Sequence, residues 1–149
     1  LAWLSLIFAI VLYFADKIKV TKKIDTDLSL KSILIIGLFQ IASLFPGVSR
    51  SGIVITAGRF LKFNRYDATK ISFYLSIPAI AGASFLSLKD VFTNDIALSS
   101  LALLSVFLSF IFSYITIKYF LIFIKNFSFN IFIIYRIVLS LLIFYAIYS

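Results

Sequence analysis

An arginine stands among small and hydroxyl-bearing residues in the segment FPGVSRSGIVIT, residues 45–56. The residues beside Arg50 that could help it hold an anion are Ser49, Ser51, Gly47 and Gly52. A guanidinium can bind two phosphate oxygens at once, serine hydroxyls hydrogen-bond to anions, and glycines let the backbone approach a ligand closely. The N–H groups at the start of a helix also attract anions. These residue types at this spacing predict a phosphate-binding site.

Two other interpretations of the segment compete with the phosphate site. It would also suit a polar turn at a membrane surface, with Arg50 reaching the lipid headgroups. A nucleotide-binding P-loop is not supported, because the Gly-Lys-Ser/Thr ending is missing. The chain has no histidine, cysteine or glutamate, and its aspartates all lie between apolar runs or at their ends. General bases for catalysis are therefore scarce.

The chain around this segment has the composition of a membrane protein. Of its 149 residues, 62% are hydrophobic and 13% are charged, whereas soluble domains are about half apolar and about a quarter charged. Charge-free runs cover residues 1–15, 32–49, 71–88 and 99–117. About 18 apolar residues suffice to cross a bilayer. We therefore predict an all-α polytopic membrane protein, built as a bundle of transmembrane helices.

The arginine segment interrupts one of these apolar runs. Pro46 should end the helix that begins near Ser29, because proline lacks an amide proton and clashes with the preceding turn. The stretch after the break, residues 52–61, rises only about 15 Å as a helix, which is half a membrane. The pattern predicts a re-entrant helix-loop-helix hairpin at residues 28–61, which leaves the membrane on the side it entered. Transmembrane helices are predicted at residues 67–88, 98–124 and 131–148, with a loop at residues 89–96.

The distribution of basic residues agrees with a hairpin that does not cross. One face collects most of them: Lys17, Lys19, Lys22, Lys23, Lys31, Lys62, Arg65, Lys70 and Lys125. The opposite face has only Lys89. Cytoplasmic loops carry an excess of Lys and Arg, so we expect the basic face to be cytoplasmic. Topology and anionic headgroups then explain the net charge of +8, and we expect no nucleic-acid partner.

The motif extends beyond the arginine segment. GLFQIASLFPGVSRSG, followed by GRFLKFNRYDATKISFYLSIPAIAGAS, resembles the second signature region of the bacterial undecaprenyl-diphosphatase family, the bacitracin-resistance type. The landmarks fall on Gln40, Pro46, Gly47, Ser49, Arg50, Ser51, Gly52, Arg65, Ala68, Ser72, Phe73, Ile77 and Pro78. The closing IYRIVLSLLIFY is similar to the last helix of that family. The resemblance covers residues 30–149.

The resemblance implies a multi-pass phosphatase of the bacterial plasma membrane. Its reaction would convert undecaprenyl diphosphate to undecaprenyl phosphate and so recycle the lipid carrier of peptidoglycan synthesis. Its fold would be two inverted repeats, each with a re-entrant hairpin, around a pocket that faces the periplasm. Residues 1–149 would be a single membrane-domain fragment, with residues 1–16 as the end of the first repeat. The partners would be undecaprenyl diphosphate and membrane lipids, and a homodimer is left open.

The resemblance also assigns roles to the residues of the motif. Arg50, Ser49 and Ser51 would form the catalytic part of the site. The substrate-binding candidates are Gly47, Gly52, Gln40 and Thr56. The family usually has threonine where this chain has Val54, and Thr56 is displaced from that position by about 200° around a helix.

The acid–base half of the family's site is absent from this chain. The Glu-x-x-x-Glu signature, followed by serines and a histidine, does not occur in these residues. The chain opens on Leu1 within an apolar run and has no methionine, so we expect an N-terminal part to be missing. We expect a divalent cation, Mg²⁺ or Ca²⁺, with ligands mostly outside this chain, and assign no metal ligand within it. We therefore expect these residues alone to be inactive.

Other polar residues have weaker claims. Gln40 would point an amide into the pocket, but a hydrogen bond between helices suits it nearly as well. Arg65 is expected to contact headgroups, and Arg136 to reach the membrane surface from the last span. Ser72 and Tyr74 would line the cavity or simply pack.

A transporter or flippase that binds a lipid phosphate headgroup is the alternative function. An inverted-repeat architecture would permit it equally. The sequence upstream of Leu1 discriminates between the two. Two glutamates, a serine cluster and a histidine favour catalysis, whereas a second arginine-bearing hairpin without carboxylates favours transport.

Overall fold

The computed structural model describes residues 2–93 and 100–148. Within these ranges the chain forms helices joined by short connections. Their bounds are α1 Ala2–Asp16, α2 Ile24–Asp27, α3 Leu30–Ile41, a 3-10 helix Ala42–Leu44, α4 Arg50–Phe60, α5 Arg65–Thr93, α6 Ser100–Asn126 and α7 Asn130–Tyr148. The only extended pairing in the described ranges is an isolated bridge between Lys22 and Phe63.

Three of these helices are long and apolar enough to cross a membrane. The spans are Arg65–Ser87, Ser100–Asn126 and Asn130–Ile147. Most of the α6 span is exposed, whereas Phe120 and the buried Ile124 near its end pack against α5 and α7. The prediction of an all-α polytopic membrane protein is confirmed.

The predicted hairpin is present as a helix-loop-helix unit. Ser29 caps α3, since its hydroxyl accepts a hydrogen bond from the N–H of Ser32 at 3.2 Å. After α4, the carbonyl of Lys62 accepts from the N–H groups of Thr21 and Lys22 at 3.1 and 3.2 Å. The end of α4 thus lies beside the segment that leads into α3, and both ends of the hairpin meet at one end of the molecule. Its re-entry into a membrane stays a prediction.

The predicted loop at residues 89–96 is wrong in its first part. Helix α5 continues to Thr93, and residues 94–96 lie outside the described residues. No glycine or proline follows Gly82 in this region of the sequence, so nothing breaks the helix where the charges begin. Pro78 lies inside α5 without ending it.

The core surrounds the short helix α4. Residues 53–59 are all buried, and α4 packs against α1, α3 and α5. One buried cluster joins Ile36 of α3 to Val54 of α4, and a second joins Ile55 of α4 to Ile133 of α7. Protein therefore encloses residues 53–59, whereas Ser49, Arg50 and Ser51 at the start of α4 are exposed.

An ion cluster fixes the end of the molecule where α1 and α4 finish. Arg65 donates to both carboxylate oxygens of Asp16, at 2.7 and 2.9 Å. Arg59 is only 3% exposed, and its Nε lies 3.6 Å from Asp16 Oδ1. Asp16 is itself buried. Arg65 therefore does not simply reach for headgroups, because its guanidinium ties the start of α5 to the end of α1.

Candidate phosphate-binding site

The turn between α3 and α4, which we call the tip, is held in an unusual backbone conformation. Gly47 has φ 101° and Ser49 has φ 62°. The left-handed region suits glycine and costs a serine on the order of 1–3 kcal/mol. Ser49 then caps α4, since its hydroxyl accepts from the N–H of Gly52 at 3.3 Å. Strain kept at one serine is common where a backbone is shaped for a ligand.

The start of α4 offers hydrogen-bond donors to an anion. Ser49 already satisfies the N–H groups of Gly52 and Ile53, through its hydroxyl and its carbonyl. Within the described residues, the N–H groups of Arg50 and Ser51 have no hydrogen-bond partner. They lie at the positive end of the helix dipole, where negative charge is stabilised.

The three consecutive residues Ser49, Arg50 and Ser51 face three different clefts around the tip. Successive residues of a helix are rotated by about 100°, so they cannot share one direction. Arg50 lines a groove of about 390 Å³ with Gln40. Ser49 and Gly47 line a cleft of about 440 Å³ with Arg136. Ser51 lines a cleft of about 230 Å³ with Ser72, whose hydroxyl donates to the carbonyl of Ser51 at 3.4 Å.

Arg136 of α7 contacts the underside of the tip. Its Nη2 donates to the carbonyl of Val48 at 3.1 Å, and the side chain is half-buried. Arg136 therefore has a protein partner at the tip, and it does not simply reach for the membrane surface. The signal available in the sequence was an arginine inside an otherwise charge-free apolar span, which normally marks a protein partner or a functional site. Only the tertiary fold identifies that partner as Val48.

Gly52 makes the contact between Arg136 and α4 possible. A Cβ at this position would lie 3.3 Å from Ser49 Oγ and 3.4 Å from Arg136 Nη2. Both distances are at the lower limit of ordinary contact. The glycine predicted to bind substrate thus lets a cap and a guanidinium meet at the first turn of α4.

The two remaining substrate-binding candidates are placed differently. The Oε1 atom of Gln40 is buried without a hydrogen-bond partner among the described residues, and Gln40 lines the Arg50 groove. Thr56 is 1% exposed, and its hydroxyl donates to the carbonyl of Gly52 at 2.7 Å. Thr56 therefore faces its own helix and lines none of the three clefts.

Val54 is 1% exposed in the core between α3 and α4. Tyr74 lines another apolar groove, away from the tip.

The arrangement can bind an anion but supplies no proton acceptor of its own. The groups around the tip include the guanidiniums of Arg50 and Arg136, the hydroxyls of Ser49 and Ser51, and two free N–H groups. The described residues contain no group of three or more histidine, cysteine or acidic side chains that could hold a metal ion. In chemical terms the tip offers donors that suit an anion such as a phosphate.

Comparison with known proteins gives one family. Residues 1–142 match the family model described as "Bacitracin resistance protein BacA". The chain is 56% identical over its whole length to the Undecaprenyl-diphosphatase of Pelagibacter ubique, covering 58% of that protein. It is 46% identical over 93% of its length to that of Elusimicrobium minutum, covering 52% of it, and 41% identical over 89% to Undecaprenyl-diphosphatase 1 of Frankia alni, covering 48% of it. The chain thus spans about half the length of these curated relatives.

Proposed function

Because this chain belongs to the bacitracin resistance protein BacA family, we propose that it is the phosphate-holding part of an undecaprenyl-diphosphatase. The reaction is hydrolysis of the terminal anhydride bond, in which water adds to the outer phosphorus and undecaprenyl phosphate leaves. The observation that carries the proposal is the tip, where Arg50, two serines and free helix N–H groups lie at the start of one buried helix.

Arg50 and the start of α4 would hold the terminal phosphate. The guanidinium neutralises charge on two phosphate oxygens, and the N–H groups of Arg50 and Ser51 donate hydrogen bonds to a third. The two N–H groups are fixed by α4 before substrate arrives, so they need no reorganisation as charge builds up on the phosphoryl oxygens. Ser49 and Ser51 add hydroxyl donors on either side.

Arg136 would hold the tip in place. Its hydrogen bond to Val48 joins α7 to the loop that precedes Arg50. We therefore assign Arg136 to positioning and Arg50 to direct phosphate binding.

The divalent cation that the resemblance implies does not fit the described residues of this chain. These residues hold no cluster of carboxylates or histidines suited to Mg²⁺ or Ca²⁺, and the guanidiniums at the tip would repel a cation. We derive no step through a metal and propose that the acid–base groups and any metal ligands come from outside this chain.

The membrane arrangement is also part of the proposal. The hairpin would re-enter the bilayer as part of the second of two inverted repeats, with its tip open to the periplasm of a bacterial inner membrane. The supporting observation is that the basic residues of the α1–α2 connection and the end of α4 lie together, away from the tip. A homodimer, left open by the sequence, is not part of this proposal. The transporter alternative is not favoured, because the similar proteins are named as diphosphatases.

The test is phosphate release from undecaprenyl diphosphate by the whole protein with Arg50→Ala. Losing a fixed donor to the phosphoryl group should lower kcat about 100- to 1,000-fold. Arg50→Lys should restore only part of this rate, since lysine cannot bind two oxygens in one plane. Lys118→Ala, an exposed cation on α6, is the control and should keep the wild-type rate. Unchanged turnover in Arg50→Ala would defeat the proposal.

A further inference from the structure

A second polar cleft lies at the end of α4 away from the tip. It measures about 430 Å³ and contains three cationic side chains. We call it the basic cleft, and its lining residues are Val20, Arg59, Asn64, Arg65, Tyr66, Ile124 and Lys125. Helix α4 has 11 residues, so about 16 Å separates this cleft from the tip. It is therefore distinct from the proposed catalytic site.

The basic cleft carries more positive than negative charge. Among the described residues, Asp16 is the only carboxylate that contacts its arginines, and it is shared between Arg59 and Arg65. The other nearby carboxylate, Asp67, accepts hydrogen bonds from Asn64 and from the N–H of Ile24. Lys125 makes no ion pair with any residue that the structure describes. Three cations thus line the cleft, and Asp16 is shared between two of them.

Arg59 is fixed rigidly in the wall of the cleft. Its Nη1 donates to the carbonyl of Phe63 at 2.7 Å, and its Nη2 to those of Asp16 and Ile18 at 2.7 and 2.8 Å. Its Nε is buried and has no hydrogen-bond partner among the described residues. Carbonyl groups orient a guanidinium without neutralising it, and a buried charge that is incompletely paired favours a counter-ion. The cleft is thus organised for an anion in advance.

The position of the cleft indicates what kind of anion it receives. Arg65 begins the span of α5 and Lys125 lies in the last turn of α6, so both mark where these helices leave the hydrocarbon region. Val20 and Ile124 add apolar walls beside the cations. The exposed apolar side of α6 continues from the cleft along the membrane span. A phosphate carried on a lipid fits this combination, because basic pockets between transmembrane helices bind anionic headgroups.

We propose that the basic cleft binds the phosphate headgroup of an anionic glycerophospholipid. Lys125 and Arg65 contact the phosphate, Arg59 supplies the fixed charge behind them, and the acyl chains lie along α6. A lipid bound there connects the end of α4, the start of α5 and the end of α6. This inference does not depend on the diphosphatase assignment.

The test compares lipid retention by the whole protein in nanodiscs of phosphatidylcholine with increasing phosphatidylglycerol. Native mass spectrometry counts the retained lipids, and thermal unfolding reports the stabilisation. Lys125→Gln removes one exposed cation without breaking a described contact, so the protein should still fold. We expect its affinity for phosphatidylglycerol to fall about fivefold, with the phosphatidylglycerol-dependent rise in Tm largely lost.

The matched control is Lys118→Gln, which makes the same charge change on the same helix outside the cleft. It should retain phosphatidylglycerol as the wild type does, and Lys125→Arg should restore retention. Equal retention of phosphatidylglycerol by Lys125→Gln and wild type would overturn the proposal. The proposal would also fail if the wild type retained phosphatidylcholine as well as it retains phosphatidylglycerol. If inorganic phosphate alone raised the Tm as much as phosphatidylglycerol does, the cleft would bind a soluble anion instead of a lipid.

Discussion

Arg136 connects the last helix to the tip, so replacing it tests how the proposed site is held together. Arg136→Leu keeps the apolar volume near the tip but removes the donor to the Val48 carbonyl. It also removes the Nη2 atom that lies 3.4 Å from the Cβ position of Gly52. The loop before Arg50 and the first turn of α4 lose the same neighbour at once.

The size of the effect follows from these two contacts. A hydrogen bond from a charged donor stabilises by about 1.5–3 kcal/mol, so the tip should move more freely and the Tm should fall. Displacing a reacting group by about 1 Å can cost about 100-fold in rate. We therefore expect kcat for phosphate release to fall about 10- to 100-fold in the whole protein, with KM changing much less. Arg136→Lys should recover part of the rate, because it restores the charge but not the planar fork.

Separating kcat from KM distinguishes positioning from direct binding. If Arg136 contacted the phosphate of the bound substrate as Arg50 is proposed to do, KM would rise together with the loss of kcat. Ser140→Ala is the control for disturbance of α7, since this buried hydroxyl donates to the carbonyl of Arg136 at 2.8 Å. It should lower stability by about 1 kcal/mol and leave kcat close to wild type. Wild-type kcat and KM in Arg136→Leu would refute the positioning role.

Two further substitutions separate activity from stability. Gly52→Ala should lower kcat/KM about tenfold, because its new Cβ meets Ser49 Oγ and Arg136 Nη2. It should lose little stability, since alanine favours the helix. Gly58→Ala is the matched contrast: its Cβ would lie 2.9 Å from that of Ala68, which should cost about 1–3 kcal/mol of stability. Wild-type activity in Gly52→Ala, measured by phosphate release, would contradict this. Asp16→Asn should lower the Tm in thermal unfolding, because it removes the carboxylate shared by Arg59 and Arg65. The cost should be about 1–3 kcal/mol, given the partial exposure of Arg65. Asp25→Asn, at an exposed position, is the control, and an equal Tm in the two variants would show that the ion cluster contributes little.

The break in the hairpin could be predicted because its causes are local. Pro46 restricts the backbone at its own position, and Gly47 permits a positive φ at its own. Ser29 caps α3 by accepting a hydrogen bond from the N–H of Ser32, three positions on. Helix α4 begins two residues before the predicted half-helix at residues 52–61, because Ser49 caps it through the N–H of Gly52. These features depend on a few neighbouring residues, so a single sequence carries them.

The partner of Arg136 could not be predicted, because it depends on how α7 packs beside the tip. Val48 and Arg136 are 88 positions apart in the chain. The same holds for Arg65, whose pairing with Asp16 spans 49 positions. An arginine near the end of an apolar span is compatible with a headgroup, a carboxylate or a carbonyl, and only the tertiary arrangement selects one of them. The predicted end of α5 is wrong for a different reason. The charges after residue 88 suggest a loop, but no glycine or proline follows Gly82 before α5 ends at Thr93.

The burial of α4 on every side has a consequence for how the protein is made. With 11 residues, α4 is too short to be inserted as an independent span, and its neighbours include α1, before it in the chain, and α5 and α7, synthesised after it. The environment that α4 occupies is complete only once α7 has been synthesised. We therefore expect the hairpin to reach its packed arrangement late in synthesis, after α5 and α7 have both been made.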